Sequence, residues 1–309
     1  MPVQSPPRKI CLLGGTGFVG RHAAARLVAA GHDVTILTRA RDRNRSLLVL
    51  PTLRMVEGDP FDPGTLVAAM SGVDTVVNLV GIINERRRGD SGFERVHVEF
   101  TRMALAAAHD AGVPRYVQVS ALKAGPDRRS RYLRTKSEAE REVRESSLGW
   151  TILQPSVIFG PDDQFSQRLA RLMRRLPALP LVRPNVRIAP VFVGDVAQAI
   201  TRVIEAPAAV GQTYQLCGPR VYSLREAVTL IGRTAGAPKP VLRIPDTLAR
   251  LMARVMEFVP GKPFSLDNYL ALSVHSICDS DAPGLRALGI SPTGLESGLR
   301  LYLTPGSDT

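Results

Sequence analysis

The sequence predicts an α/β chain, a doubly wound parallel sheet followed by a smaller C-terminal lobe. Three observations carry that prediction. Residues 14–20 read Gly-Gly-Thr-Gly-Phe-Val-Gly, directly after the apolar run Ile10-Cys11-Leu12-Leu13 and directly before a helical pattern. Strand-like and helix-like segments then alternate through the first half, as a parallel sheet with helices on both faces requires. After Pro155 the alternation loosens, and proline recurs at Pro177, Pro180, Pro184 and Pro190. The resulting boundaries are residues 1–165 for the first domain and 166–309 for a smaller, partly interleaved lobe. A strand near 213–217 and the helix after it are expected to return to the first domain.

In chain order, the first strand ends at the glycine turn. The first helix spans about residues 18–30 and stops at Gly31, a C-terminal cap signal. Residues 33–38 and 53–57 are the second and third strands, the latter running into Gly58-Asp59-Pro60. Asp62-Pro63 opens a helix, with aspartate as cap and proline in the first helical position. Residues 74–80 form the fourth strand, ending at Gly81, and a helix covers about 93–111. The fifth strand is 115–120, a helix follows over about 130–145, and the sixth strand covers 150–153. In the second half, Asp195-Val196-Ala197-Gln198 and Ser223-Leu224-Arg225-Glu226 resemble capping-box helix starts. A helix over about 246–259 is apolar on one face, with Arg250 and Arg254 on the other. It either packs on the smaller lobe or docks on a membrane or a partner.

Composition narrows the class. At 309 residues the chain holds one large domain or one and a half, with an ample core. Hydrophobic residues make up 44%, as in an ordinary soluble protein, and no run of about 18 apolar residues offers a membrane span. Aromatics, at 5%, are too sparse for the stacking platforms of single-stranded nucleic-acid binders, so nucleic acid is not an expected partner. The formal net charge is +12. It fits a solvated arginine-rich surface, or attraction to a phosphorylated ligand, an acidic partner or an anionic membrane face. Cys11, Cys217 and Cys278 show no paired spacing; Cys11 and Cys217 sit in apolar strand-like runs, so buried reduced thiols are expected. The five histidines lack metal-ligand spacing, so no metal site is expected. Arg8-Lys9 precede an apolar run too short for a secretion signal. The expected location is the cytoplasm, or peripherally the cytoplasmic face of the inner membrane.

The glycine turn is the arrangement that seats a dinucleotide pyrophosphate on a helix N-terminus. Gly14 permits the tight turn, Gly17 lets the backbone approach the phosphates, and Gly20 lets the helix pack close to the strand. Thr16, Phe18 and Val19 complete the cofactor cradle. The end of the second strand selects the nucleotide. A carboxylate there binds the ribose hydroxyls of NAD; this chain has Arg39, then Arg41, Arg43 and Arg45. A guanidinium fits a 2′-phosphate, so NADP(H) is favoured over NAD(H), with Arg39 and Arg43 as candidate ligands. The same arginines also suit a plain basic loop. Asp59 either meets the adenine amine or serves as a turn residue before proline.

Tyr132-Leu133-Arg134-Thr135-Lys136 puts a phenol and an ammonium four apart on one helix face. A free tyrosine, with a pKa of about 10, is a poor base at neutral pH. A nearby Lys136 cation is expected to lower it and let Tyr132 exchange a proton with a substrate hydroxyl or carbonyl. Lys136 is also suited to hold the nicotinamide ribose.

These residues resemble the short-chain dehydrogenase/reductase superfamily in its extended, Rossmann-type form. The stretches that carry the resemblance are 14–20, Asn78-Leu79-Val80-Gly81, Tyr132 with Lys136, 154–160, and Val193-Gly194-Asp195-Val196-Ala197. More narrowly, the chain is similar to the atypical branch that includes the Rossmann-type accessory subunit of respiratory complex I. Ser130-Arg131-Tyr132-Leu133-Arg134, Asp162-Asp163-Gln164-Phe165, 190–196 and Phe264-Ser265-Leu266-Asp267-Asn268 carry that closer likeness. The resemblance implies cofactor contacts from Leu79, Val80, Gly81, Pro155, Ser156 and Val157, and catalytic roles for Tyr132 and Lys136; Ser120 joins them only if the strand has already ended at that residue. One departure bears on activity. Extended members carry serine or threonine just past the fifth strand, and here Ala121 takes that position, with Ser120 one residue early. A one-residue offset in a strand reverses a side chain's direction, and a lost oxyanion donor costs a factor of about 10²–10³. Asn78 is expected to bridge strand ends, and Asp195 to cap a helix.

Two functions follow as expectations. The first is an NADP(H)-binding protein in which the nucleotide is held tightly with slow or no turnover, possessing a respiratory-complex or membrane-surface partner. The alternative is an active NADPH-dependent oxidoreductase, or a sugar-nucleotide epimerase/dehydratase, using Tyr132 and Lys136 on an unidentified small molecule.

Overall fold

The run Ile10–Leu13 is buried on both sides. Ile10 and Leu12 face one layer, Cys11 and Leu13 the other, and none is more than 1% exposed. A central parallel strand reads as such an unbroken apolar run, because helices cover both faces. Each buried aliphatic side chain contributes about 1.5–3 kcal/mol. The computed structural model describes residues 6–85, 92–256 and 264–304.

The first half comprises β1 (Lys9–Leu13), α1 (Phe18–Ala29), β2 (Asp33–Thr38), β3 (Leu53–Glu57) and α2 (Pro63–Met70). It continues with β4 (Thr75–Asn78), α3 (Phe100–Asp110), β5 (Arg115–Val119), α4 (Arg131–Glu145) and β6 (Gly149–Pro155). The second half holds β7 (Ile158–Phe159), α5 (Ser166–Arg175), β8 (Leu179–Val182), β9 (Arg187–Ile188), β10 (Val191–Phe192) and α6 (Val193–Glu205). Then come β11 (Gln212–Leu216), β12 (Tyr222–Ser223), α7 (Leu224–Thr234), β13 (Val241–Ile244), α8 (Asp246–Met256), α9 (Leu266–Ala271) and α10 (Leu295–Arg300).

Seven strands form one wholly parallel sheet in the order β11-β6-β5-β4-β1-β2-β3. The chain leaves β1 toward β2 and β3, then crosses back to β4. That reversal opens a crevice at the carboxyl ends of β1 and β4, where ligands of such sheets bind. Helices α1 and α6 cover one face; α2, α3 and α4 cover the other. The sheet is therefore doubly wound, as the sequence predicts.

Local chemistry sets the element ends. Asp62 caps α2, its carboxylate accepting from Thr65 N–H at 2.7 Å, with Pro63 first in the helix. Ser130 caps α4. Ser223 and Glu226 form a reciprocal capping box on α7. The fourth strand stops at Asn78 rather than Val80, because the Asn78 side-chain Oδ1 takes the Val80 N–H at 3.0 Å. The helix expected over 93–111 begins with a π-helical segment, Glu94–Glu99, before α3.

The smaller lobe holds two clusters of its own. One gathers α5, α7, α10, β8 and β9; the other joins β8 and β13 to α8 and α9. β11 returns to the main sheet, but α7 after it packs in the smaller lobe; the returning helix is α6, before β11. Two further expectations are corrected. Asp195 does not cap a helix: it is the third residue of α6, and its carboxylate accepts from Thr293 N–H at 2.7 Å and Thr293 Oγ1 at 2.9 Å. Cys217 and Cys278 form a disulfide, with Cα atoms 6.0 Å apart across a separation of 61 residues, while Cys11 stays a buried thiol. The crossing of residues 276–279 beside β11 makes that pair, which spacing alone does not reveal. The helix expected over 246–259 is described to Met256, and 257–259 lie outside the described residues.

Candidate functional site

The glycine turn closes with Gly17 N–H donating to Gly14 O at 3.0 Å. Gly14 has φ +78°, a conformation that favours glycine. At Gly20 an added Cβ falls 2.4 Å from Gly14 O and 2.6 Å from the Gly15 backbone, so only hydrogen fits. α1 starts here with no acidic residue in its first turn and no side-chain cap on Gly17. Its leading N–H groups, at Phe18, Val19 and Gly20, have no partner within the helix and carry the positive end of its dipole. This is a cradle for an anion. Thr16 O accepts from Arg21 Nε at 3.0 Å, and the same guanidinium reaches Asn44 Oδ1 at 2.8 Å, tying the turn to the loop after β2.

The predicted cofactor residues converge on this edge in two groups. An added Cβ at Gly14 meets the Leu79 and Val80 backbone at 3.1 Å, and one at Gly81 meets Lys136 Nζ at 3.0 Å. Pro155 O accepts from Leu122 N–H at 2.9 Å, joining the exits of β5 and β6. Val157 O accepts from Val191 N–H at 2.9 Å. Ser156 Oγ bonds Ser276 O at 2.9 Å and lies 3.0 Å from Ser276 Oγ, so its hydroxyl is already engaged. The second group follows the ends of β2 and β3. Arg39 and Arg43 are exposed, and neither makes an ion pair among the described residues; Arg45 turns to Asp42 at 2.7 Å. Asp59 is exposed, with Oδ1 accepting from Phe61 N–H at 3.0 Å in a turn before α2.

On the other side of the crevice, α4 presents Tyr132 and Lys136. Lys136 is buried, and its Nζ donates to Val119 O at 3.3 Å and Val80 O at 3.4 Å. Burial lowers this ammonium to about 8, while Glu140 one turn on pulls it back up. Glu140 is itself buried, accepting from Gln154 Nε2 at 2.8 Å and pairing with Arg144 at 2.8 Å. Tyr132 departs from expectation. Its hydroxyl is pushed up to about 12, first by burial and then by the Asp267 carboxylate, and the Lys136 cation does not offset them.

Asp267, in α9, sits on the N-terminus of α4. It accepts from Arg131 N–H at 2.6 Å, Ser130 Oγ at 2.8 Å and Tyr132 N–H at 3.3 Å. An anion is favoured there by the helix dipole. Next to it, Asn268 Nδ2 donates to Ile83 O at 3.0 Å, so α9 ties α4 to the loop after β4.

Sequence reasoning missed His97. It lies in the π-helical segment and its ring contacts Phe93 and Tyr132, with centroids 5.5 and 5.6 Å away. Its Nε2 accepts from Ile82 N–H at 3.1 Å, so Nδ1 carries the proton toward Thr135 Oγ1 at 2.9 Å. Burial and the Lys136 cation lower it to about 2, so the ring is neutral. π-Helical turns recur at functional sites, but no residue type in 94–99 announces one. The available signal was the Phe93–His97 spacing of four.

β5 ends at Val119, yet Ser120 N–H still donates to Leu153 O at 2.8 Å, extending the pairing with β6. Strand alternation therefore keeps Ser120 on the face of Tyr116 and Gln118, toward α3 and α4. Its hydroxyl is buried and has no hydrogen-bond partner among the described residues. Ala121 is buried beside it. Asn78 bridges as expected, donating to Gln118 Oε1 at 3.1 Å and Thr101 Oγ1 at 3.3 Å. The described residues contain no cluster suited to a metal ion.

A family model described as NAD(P)H-binding matches residues 14–207. The mitochondrial NADH dehydrogenase (ubiquinone) 1 alpha subcomplex subunit 9 of Mus musculus is 32% identical over 295 residues, covering 92% of this chain and 77% of that protein. A ceramide reductase of Caulobacter vibrioides is 30% identical over 239 residues, covering 77% of this chain and 74% of the relative. In structure, the UDP-glucose 4-epimerase of Thermus thermophilus in complex with NAD superposes with a TM-score of 0.72 at 19% identity, covering 96% of this chain and 97% of that one. With the glycine turn at the switch point of its sheet and these relatives, the chain belongs to the NAD(P)H-binding family, as an atypical short-chain dehydrogenase/reductase related to the complex I subunit.

Proposed function

We propose that this protein holds NADP(H) as a tightly bound nucleotide with slow or no turnover. The observation that carries this reading is the Asp267 carboxylate on the N-terminus of α4, beside Tyr132. A general base needs a phenol whose pKa lies nearer neutrality; burial and this anion drive it the other way. Ala121 in the position of an oxyanion donor points in the same direction.

The fit to a dinucleotide rests on the turn at 14–20, where α1 opens with no acidic residue and no side-chain cap and Gly20 packs too close to Gly14 and Gly15 for a Cβ, and on the orphaned Ser120 hydroxyl. In this reading the backbone of 14–20 holds the pyrophosphate, and Leu79, Val80, Gly81, Pro155, Ser156 and Val157 line its path. Lys136 holds the nicotinamide ribose, and Asp59 meets the adenine. Arg39 and Arg43 bind the 2′-phosphate, since both are exposed where a carboxylate would select NAD. When bound, the nicotinamide supplies hydride chemistry. The similarity to a mitochondrial subunit of NADH dehydrogenase supports a respiratory complex as partner, and with it a peripheral place at an inner-membrane face.

Nucleotide released from the purified full chain and identified by mass spectrometry is expected to be NADPH or NADP⁺ at near-stoichiometric occupancy. Recovery of NAD alone, or an empty site that NADPH does not stabilise thermally, overturns the reading. Arg39→Glu is expected to weaken NADPH binding more than NADH binding; equal losses remove the 2′-phosphate role.

A second reading is an active NADPH-dependent reductase or epimerase. The unpartnered Ser120 hydroxyl on the α4 side favours it, as does the likeness to a ceramide reductase. Under it, Tyr132→Phe abolishes turnover of whichever carbonyl compound or nucleotide sugar the wild type accepts.

A further inference from the structure

The fully buried residues of α8 are its alanines, with Met252 half-buried beside them. Ala249 and Ala253 are fully buried against Val182, Ile244 and Tyr269. Leu248, Leu251 and Val255 remain 54%, 59% and 58% exposed. Their spacing of three and four aligns them in one stripe along the helix. Scattered exposed leucines are ordinary on a soluble protein; three in line on one helix form a surface. Leu242, two residues before Ile244 closes β13, is 57% exposed as well.

Charge identifies what suits that surface. Arg250 and Arg254, four apart, form the neighbouring stripe, and Arg243 is exposed on β13. Arg243 and Arg254 make no ion pair among the described residues, whereas Arg250 lies against Tyr269, its Nε donating to Tyr269 Oη at 3.2 Å. The one carboxylate in α8, Asp246, is at its first residue and faces Arg183 at 4.0 Å. An apolar stripe beside uncompensated arginines is the pattern of a helix lying in a membrane interface. A second copy of the chain is a poor occupant, because a symmetric contact brings the same arginines face to face.

We propose that α8 is a docking helix for an anionic lipid surface, with Leu248, Leu251 and Val255 entering the acyl boundary and Arg243 and Arg254 on the head groups. The proposal deepens, and rests on, the membrane-face location proposed above; it is independent of which nucleotide is bound.

The test is co-flotation of the purified full chain with vesicles of phosphatidylcholine, alone or mixed with phosphatidylglycerol. The anionic vesicles are expected to bind at least about tenfold more chain, and raised salt to release it. The triple variant Leu248→Ser/Leu251→Ser/Val255→Ser is expected to lose about tenfold or more in binding while its Tm stays unchanged, since all three side chains are exposed. Arg254→Glu, which removes no apolar surface, is expected to weaken binding to anionic vesicles only. Equal binding to neutral and anionic vesicles, or undiminished binding by the triple variant, overturns the proposal. So does a soluble dimer that the triple variant dissolves. A chain that fractionates with cell membranes but ignores protein-free vesicles leaves the location standing and overturns the lipid-facing role of α8.

Discussion

The glycine turn after β1 and the surroundings of Tyr132 flank one crevice but are made of different material. The turn is backbone: one φ, one hydrogen bond between Gly17 and Gly14, and a contact at Gly20 with no room for a methyl group. The Tyr132 side is assembled from side chains of three distant segments, Phe93–His97, Tyr132–Lys136 and Asp267–Asn268, anchored on the backbone of a fourth, Val80–Ile83. Backbone geometry admits few sequences and fixes one ligand chemistry, an anion on a helix N-terminus. Side-chain surroundings are adjustable, and here they raise Tyr132 and hold His97 neutral.

The largest expected effect falls on the turn. Gly20→Val is expected to cost about 3 kcal/mol through overpacking against the Gly14 and Gly15 backbone, and to abolish thermal stabilisation by NADPH. Chemical denaturation with and without nucleotide measures both; a variant that still responds to NADPH would break the claim that the backbone sets the binding.

Next comes the pH dependence of the side-chain half. His97 is neutral in the fold and titrates near 6.5 when unfolded. Below that pH the unfolded state binds the extra proton, so stability falls as pH falls through 6.5 toward the folded value. The loss reaches about 1.4 kcal/mol, tenfold in the folding equilibrium, by pH 5.5. His97→Gln keeps an acceptor for Ile82 N–H and is expected to remove this acid slope. Identical pH profiles for variant and wild type would show that His97 titrates freely.

The smallest effect sharpens the comparison most. Asp267→Asn is expected to cost about 1 kcal/mol, from a lost charge at the N-terminus of α4 and weakened hydrogen bonds. It also lowers the Tyr132 pKa toward its ordinary value, read by ultraviolet titration against Tyr132→Phe. Gained turnover in Asp267→Asn would identify this carboxylate as a brake on chemistry; an unmoved phenol titration would dismiss it.

The β1–turn–α1 unit was legible because its signals are local: apolar run, glycines, helix pattern. Asp62-Pro63 and Ser223–Glu226 were legible for the same reason, since a cap and its helix lie within four residues. That the sheet is parallel follows from the alternation of strands and helices; its order, with the reversal at β1, is set by tertiary pairing. Asp195 misled, because an acidic residue in a first helical turn looks like a cap until Thr293 arrives from 98 residues away. The cysteines misled likewise, since 61 residues separate partners whose meeting depends on where 276–279 crosses. The apolar stripe of α8 was visible, but whether neighbours cover it was not.

The sequence by itself determined the parallel character of the sheet and the anion cradle at 14–20, because short-range sterics and hydrogen bonding allow little else at those residues. Tertiary structure alone decided the state of Tyr132. The charge beside it comes from a helix 135 residues away, and the burial that raises it from packing of separate segments. Proximity in space, which sets both desolvation and Coulomb energy, is written in no local stretch of the chain.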